Sequence, residues 1–185
     1  MNYRNNRRSE ATKTKIKQAL VDMLHHQELS KITVQALCEE ASINRSTFYN
    51  HYQSPQSVLK NIEKDFIFGL NNYVSADSHP EQETSNLRQL LTRVLEYTQA
   101  NQHICFLLQI PALQPAFRKN IFDSLFHSGP ADHPVFEKYS EEMLAYTQTF
   151  VMYGCGHVIE LWLQDGCEES PYEIACLLAD FIEKL

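Results

Sequence analysis

Residues 33–52, TVQALCEEASINRSTFYNHY, constrain the fold of this chain most, because they contain two short helical patterns separated by a tight turn. In the first pattern, the apolar residues recur at i, i+3, i+4 and i+7: Val34, Leu37, Cys38 and Ala41. This spacing predicts a helix with one buried face, and Thr33 is expected to cap it. In the second pattern, Asn44 is expected to cap a helix whose Phe48 and Tyr52 point inward. The segment predicts a helix-turn-helix motif.

The first turn of the second helix presents polar side chains to a partner. Arg45, Ser46 and Thr47 follow the expected cap directly. A helix that packs one face and leaves its N-terminal residues free is typical of helices that enter the DNA major groove. The guanidinium group of Arg45 matches the O6 and N7 acceptors of guanine, and the hydroxyl groups of Ser46 and Thr47 can bond to several base edges.

The segment from about residue 13 to residue 66 resembles the TetR/AcrR family of bacterial repressors, most specifically in RSTFYNHYQSPQSVL, residues 45–59. This resemblance implies an all-α fold of about nine helices. It implies an N-terminal three-helix DNA-binding unit, residues 1–54, and a C-terminal helical body for ligand binding and dimerisation, residues 55–185, with helix 4 at about 55–72 connecting them.

Two residues differ from the usual family pattern. Ser42 occupies the turn position where the family usually has glycine, and serine adopts a left-handed backbone only at some energetic cost. Pro55 stands where the family usually has a lysine. Proline suits the first turn of helix 4 but supplies no cation to a phosphate group.

The expected DNA contacts extend beyond the base-reading residues. The resemblance implies that Tyr49 and His51 bind phosphate oxygens, which would fix the register of the protein on DNA. Thr33 can offer its hydroxyl group and the free amides of its helix to a phosphate, and Lys60 can add positive charge. The alternative is that these are ordinary surface residues or, for the two rings, packed aromatics. The full predicted set is Thr33, Asn44, Arg45, Ser46, Thr47, Tyr49, Asn50, His51 and Lys60.

The charge distribution agrees with this interpretation. The net charge of the chain is −7. Residues 1–64 carry ten Lys or Arg against six acidic residues, a net charge of +4, and the remaining residues carry −11. This asymmetry favours a nucleic-acid-binding head on an acidic body, although a solvated basic tail is the alternative.

Composition excludes several other classes of protein. The 185 residues contain only five glycines, and they include neither an apolar run long enough to cross a membrane nor a signal-peptide pattern, so we expect a cytoplasmic protein with no membrane partner. The five cysteines lack CxxC spacing and are expected to be reduced. His103 with Cys105, and Cys155 with His157, are each two residues apart, which places the two side chains on different sides of a helix. We therefore expect no metal site. The sequence also has no glycine-rich phosphate loop and no GxSxG or HExxH motif, so we expect no cofactor and no catalytic site.

Helical patterns continue along the rest of the chain. Helix 1 is predicted at about 10–26, with Lys13, Lys15 and Lys17 near its start, where either a phosphate or solvent would face them. Polar loops are predicted at 75–86 and 127–134. Further helices are predicted at about 84–99, 103–110, 115–127, 139–164 and from 171 onwards.

The last two helices are predicted to form a dimer interface. The helix at about 139–164 is apolar on two sides, which indicates burial from two directions. The family resemblance implies a four-helix interface between two copies of the chain, and the alternative is an ordinary intramolecular bundle. The predicted interface residues are Val151, Gly154, Val158, Leu161, Ile174, Leu177, Leu178 and Phe181.

Aromatic and polar-tipped residues of the body could line an effector cavity, although core packing is the alternative. The predicted pocket residues are Phe106, Gln109, Phe117, Tyr146, Tyr153, His157 and Trp162. Together these features predict a homodimeric repressor that binds an inverted-repeat operator in double-stranded DNA and is released by a small-molecule effector. The alternative is an adaptor of the same architecture that binds proteins and not an operator.

Overall fold

The computed structural model describes residues 3–76, 87–110, 112–127 and 140–184. Within these ranges the protein contains nine α-helices and no β-strand, which confirms the predicted all-α fold. The helices are α1 (Tyr3–Leu24), α2 (Val34–Glu40), α3 (Arg45–Tyr49), α4 (Pro55–Ser75), α5 (Leu87–Ala100), α6 (Gln102–Cys105), α7 (Gln114–His127), α8 (Glu141–Gln164) and α9 (Pro171–Glu183). Short 3₁₀ turns cover Leu29–Lys31 and Phe106–Gln109.

The chain divides into two compact units, residues 1–65 and 66–185, and the division falls within α4. The N-terminal unit has a core of apolar side chains from all of its helices. The side chains of Ile16, Leu20, Leu37, Phe48 and Val58 are completely buried there. Their positions follow the apolar periodicity of the sequence, since helical residues three or four apart share one face.

The predicted start of helix 1 at Glu10 was wrong, because α1 begins at Tyr3. Residues 3–9 contain no apolar stripe, so hydrophobic periodicity gives no signal there. Lys13, Lys15 and Lys17 therefore lie beyond the first turn of α1. The helix dipole acts mainly within that first turn, so it does not disfavour these lysines. Lys13 forms an ion pair with Glu10 at 2.9 Å, and Lys17 pairs with Asp65 of α4.

In the C-terminal unit, α5 packs closely against α9, and α8 contributes to the same core. One cluster of buried side chains joins these helices and includes Leu91, Leu95, Trp162 and Ala175. Arg88 of α5 donates a hydrogen bond to Asp180 of α9 at 2.8 Å. A second group of rings, Phe66, Tyr97 and Phe117, packs edge to face with centroid separations of 5.2 and 5.5 Å.

Side-chain caps determine where two of the longer helices begin. The Ser54 and Ser57 side chains each accept a hydrogen bond from the other's backbone N–H at the start of α4, where Pro55 occupies the first position. At the start of α9, Ser170 and Glu173 form a complete capping box in front of Pro171. The predicted loops lie largely outside the described residues, at 77–86 and 128–139.

The described part of the chain contains no helix that is both long enough and apolar enough to span a membrane.

Candidate nucleic-acid interface

Both caps predicted for the helix-turn-helix segment are present. The Thr33 hydroxyl accepts a hydrogen bond from the backbone N–H of Ala36 at 3.1 Å, at the start of α2. The Asn44 side-chain oxygen accepts two hydrogen bonds at 2.7 Å, from the backbone N–H of Thr47 and the hydroxyl of Ser46. These bonds satisfy amide groups that a helix start leaves unpaired, so α3 begins at a defined residue although it is only five residues long.

The turn between α2 and α3 has the left-handed residue that the sequence predicts. Ser42 has φ 53°, and it is one of two residues other than glycine with a positive φ in the described ranges. This conformation reverses the chain directly after α2, so that α3 can cross it. The strain is therefore localised at one residue of the motif.

The two faces of α3 have opposite environments. Phe48 is completely buried, and Tyr52, just after the helix, is 7% exposed. The Tyr52 hydroxyl donates a hydrogen bond to Asn61 of α4 at 2.8 Å. Burial raises the pKa of Tyr52 to about 12, and the negative charge of Asp65 adds to the shift. These contacts attach one face of α3 to the rest of the N-terminal unit.

The other face of α3 is open. Arg45, Ser46 and Asn50 are exposed, and Tyr49 is 53% exposed with its ring packed edge to face on Phe48. Thr47 and His51 are half-buried. The N-terminal turn of the helix therefore presents one cationic and two hydroxyl side chains, a set that can bond to base edges.

The two remaining predicted contacts belong to other helices. Thr33 is exposed at the start of α2, and Lys60 is exposed on α4. All nine predicted residues lie in the N-terminal unit. Direct DNA contact by each of them remains a prediction.

Arg7 and Arg8, which the sequence interpretation did not assign to the interface, are exposed in the first two turns of α1. The sequence predicted only that these two arginines add positive charge to the N-terminal region. The early start of α1 gives them a helical position, and this could not be seen from apolar periodicity.

The C-terminal unit has an exposed apolar face on α8 and α9. Its large side chains include Tyr146, Phe150, Tyr153, Leu161, Leu177 and Phe181, which are 74, 62, 46, 53, 43 and 54% exposed. An open cleft of about 270 Å³ lies between the two helices. It is lined by Phe150, Val151, Gly154, Cys155, Val158, Leu178, Phe181, Ile182 and Lys184.

The predicted interface residues divide between this face and the core. Gly154, Leu161, Leu177 and Phe181 are exposed, and Val158 is half-buried in the cleft. In contrast, Val151, Ile174 and Leu178 are 3, 8 and 1% exposed in their own chain. For these last three, the apolar stripe marks the core of one chain and leaves little surface for another molecule.

The predicted pocket residues lie in several different parts of the C-terminal unit. Phe117 is completely buried in the cluster of aromatic rings. Trp162 is 2% exposed in the core shared by α5, α8 and α9, and its indole N–H donates a hydrogen bond to the Glu169 carbonyl at 2.9 Å. Phe106 is half-buried and Gln109 is exposed on the 3₁₀ turn. Tyr146, Tyr153 and His157 lie at i, i+7 and i+11 of α8, so all three belong to its exposed face. The seven residues do not form one lining.

The capped helix-turn-helix and the helical body together define a DNA-binding transcriptional regulator. A family model described as the transcriptional regulator C-terminal region, from the TetR group, matches residues 85–184. The chain belongs to the TetR family of transcriptional regulators.

Individual relatives agree with this assignment. The nucleoid occlusion factor SlmA of Marinomonas sp. (strain MWYL1) is 28% identical over 116 residues, which cover 60% of this chain and 55% of the relative. The HTH-type regulator YxbF of Bacillus subtilis (strain 168) is 21% identical over 173 residues, which cover 90% of this chain and 43% of the relative. The chain thus spans about half the length of the curated relatives it matches.

The fold is that of a solved TetR regulator. The crystal structure of a TetR transcriptional regulator from Streptococcus agalactiae 2603V matches with a TM-score of 0.70 at 21% identity, over 97% of both chains. At 21% identity, this similarity shows a shared fold and does not by itself show a shared function.

Proposed function

We propose that the protein is a transcriptional repressor that binds its operator as a homodimer and leaves it when a small-molecule effector binds the body. The observation that carries the DNA-binding part is the open N-terminal turn of α3. Arg45 and Ser46 are exposed there, while Phe48 is buried on the opposite face. A regulator that acts on DNA would work in the cytoplasm.

We infer the homodimer from the exposed apolar face of α8 and α9. Large apolar side chains grouped on one surface usually mark a protein interface. Phe150, Leu161, Leu177 and Phe181 would lose their exposed area against the same face of a second copy, because a two-fold interface pairs one patch with itself. Two identical heads would then favour an operator with inverted-repeat half-sites.

In vitro transcription tests the repressor assignment. The template carries the promoters that flank the gene of this protein, and purified protein is added at increasing concentration. We expect transcript from one of these promoters to fall as the protein binds. A rise in transcript would make the protein an activator. Unchanged transcript together with no DNA binding at low salt would instead favour the adaptor function.

A further inference from the structure

The second turn of α1 carries two arginines that have no acidic partner in the described part of the chain. Arg7 and Arg8 are exposed, and their side chains form neither an ion pair nor a hydrogen bond with any other described residue. The first nine residues of the sequence contain no Asp or Glu. The next acid, Glu10, is paired with Lys13 at 2.9 Å. The two positive charges are therefore available to a negatively charged partner.

Contacts along α1 show which part of the N-terminal unit these arginines approach. Lys17 of α1 pairs with Asp65 of α4. Burial raises the pKa of Tyr52 to about 12, and the negative charges of Asp65 and Glu10 add to the shift, so Glu10 lies close to this side chain. Tyr52 comes just after α3. Towards its N-terminus, α1 thus passes from α4 to the end of α3.

Helix geometry gives the distance from this contact to the arginines. Each residue of an α-helix adds about 1.5 Å along the axis, so Arg8 and Arg7 lie about 3 and 4.5 Å beyond Glu10. Arg7 also shares one side of α1 with Glu10, because residues three apart are neighbours on a helix. His51, a predicted phosphate contact, directly precedes Tyr52. The basic turn of α1 therefore continues the predicted DNA-binding surface.

We propose that Arg7 and Arg8 bind phosphate groups of the DNA backbone beside the groove that α3 enters. This assignment rests on the proposed function and adds a second helix to the predicted phosphate contacts. Successive residues of a helix point about 100° apart, so the two side chains reach separate phosphates and do not converge on one base pair. The DNA backbone offers such a series, with one negative charge per about 1.7 Å of duplex. These contacts position the protein and read no sequence.

The salt dependence of DNA binding tests this assignment. Each cation that neutralises a phosphate releases counterions, so one contact loses affinity roughly 3.5-fold between about 50 and 200 mM salt. Over this range the wild type should lose about tenfold more affinity than the double variant Arg7→Gln/Arg8→Gln. Fluorescence anisotropy measures both proteins on random-sequence duplex DNA, which carries the same phosphates as an operator. Circular dichroism confirms that the variant is folded.

Two further variants separate a phosphate contact from a general effect of charge. Lys31→Gln/Lys119→Gln is the matched control, since it also removes two exposed cations, each of which has an acidic partner. It should keep the salt dependence of the wild type. Arg7→Lys/Arg8→Lys keeps both charges and should also keep that salt dependence, because lysine binds phosphate as a point charge.

The possible failures of this assignment and of the proposed function are distinct. A folded Arg7→Gln/Arg8→Gln variant with the affinity and salt dependence of the wild type would overturn the phosphate contacts and leave DNA binding by α3 intact. A greater loss of affinity on operator than on random DNA would also overturn them, because it would show that the arginines read bases. Wild-type protein that binds neither DNA at low salt would contradict the proposed function itself.

Discussion

Ser42 and Gly166 occupy the same position in two copies of one helix-ending motif. After α2, the N–H groups of Ser42 and Ile43 donate to the carbonyls of Glu39 and Cys38 at 3.1 and 2.9 Å. After α8, the N–H group of Gly166 donates in the same way to Leu163, and that of the next residue to Trp162. Both positions have a left-handed backbone, with φ 53° at Ser42 and 80° at Gly166. Only glycine adopts this conformation without strain.

We therefore expect Ser42→Gly to stabilise the protein by about 0.5–1 kcal/mol, since the relief of strain exceeds the extra entropy of an unfolded glycine. Ser9→Gly, inside α1, is the matched control and should destabilise by about 0.5 kcal/mol. Urea denaturation measures both free energies. A destabilising effect of Ser42→Gly would show that its side chain contributes more than its backbone costs.

Tyr52 provides a pH-dependent test of the packed side of α3. Its pKa rises from about 10 in an unfolded chain to about 12 in the fold, because burial opposes the phenolate. A raised pKa adds stability that is fully present below pH 10 and is lost as the pH rises towards 12.

Tyr52→Phe lacks this titration. The difference in unfolding free energy between wild type and variant should be constant below pH 10 and should shrink between pH 10 and pH 12. Urea denaturation at a series of pH values measures it. A difference that stays constant up to pH 12 would contradict the pKa shift.

At the scale of elements, α3 depends on its cap because five residues form few internal hydrogen bonds. Asn44 supplies the cap through its side-chain oxygen, whereas its side-chain nitrogen is a separate donor that can bond to DNA. Asn44→Ala should lower stability by about 1 kcal/mol. Asn44→Ser should keep the stability, because serine also caps helices.

Measuring stability and DNA affinity for both variants separates the two roles. Loss of affinity in the stable Asn44→Ser variant would indicate an amide contact to DNA. Loss only in Asn44→Ala would assign Asn44 to capping alone. If neither variant is destabilised, α3 does not depend on this cap.

Apolar periodicity predicted most of the helices, but it did not predict which neighbouring element covers each apolar face. Leu37, Phe48 and Ile62 follow helical spacing, and all are buried as expected. The first seven residues of α1 are polar and charged, so its true start at Tyr3 carried no such signal. Local patterns report which residues are apolar, and they do not report which element covers them.

The same limitation explains the interface and pocket sets. Val151 and Phe181 both continue an apolar stripe, yet the first is 3% exposed and the second 54%. The buried ion pair between Arg118 of α7 and Glu160 of α8 was not predicted either, because a single arginine in a helical pattern indicates a solvated face and the two residues are 42 positions apart in sequence. Contacts between distant segments decide such cases.

At the scale of the whole molecule, the exposed face of α8 and α9 predicts how the dimer can be disrupted. Phe181 is 54% exposed in one chain, so Phe181→Glu should leave that chain folded. A carboxylate in a dry interface should weaken dimerisation by roughly 3 kcal/mol or more. Sedimentation equilibrium measures this, and circular dichroism checks the fold.

Gln89→Glu adds the same charge at an exposed position of α5, outside this face, and should leave the dimer intact. If Phe181→Glu and Gln89→Glu have the same dimer affinity as the wild type, the interface lies elsewhere on the molecule.

If the open turn of α3 reads DNA sequence, a base-contacting residue and a phosphate-contacting residue should respond differently to the choice of DNA, and a comparison of two variants tests this directly. Fluorescence anisotropy measures the affinity of Arg45→Ala and His51→Ala for the operator and for random DNA of equal length, at matched salt concentration. Arg45→Ala should lose about 1–3 kcal/mol for each half-site on the operator and much less on random DNA. His51→Ala should lose similar affinity for both, because a phosphate contact carries no sequence information. Equal losses on both DNAs for Arg45→Ala would show that Arg45 does not read the base sequence.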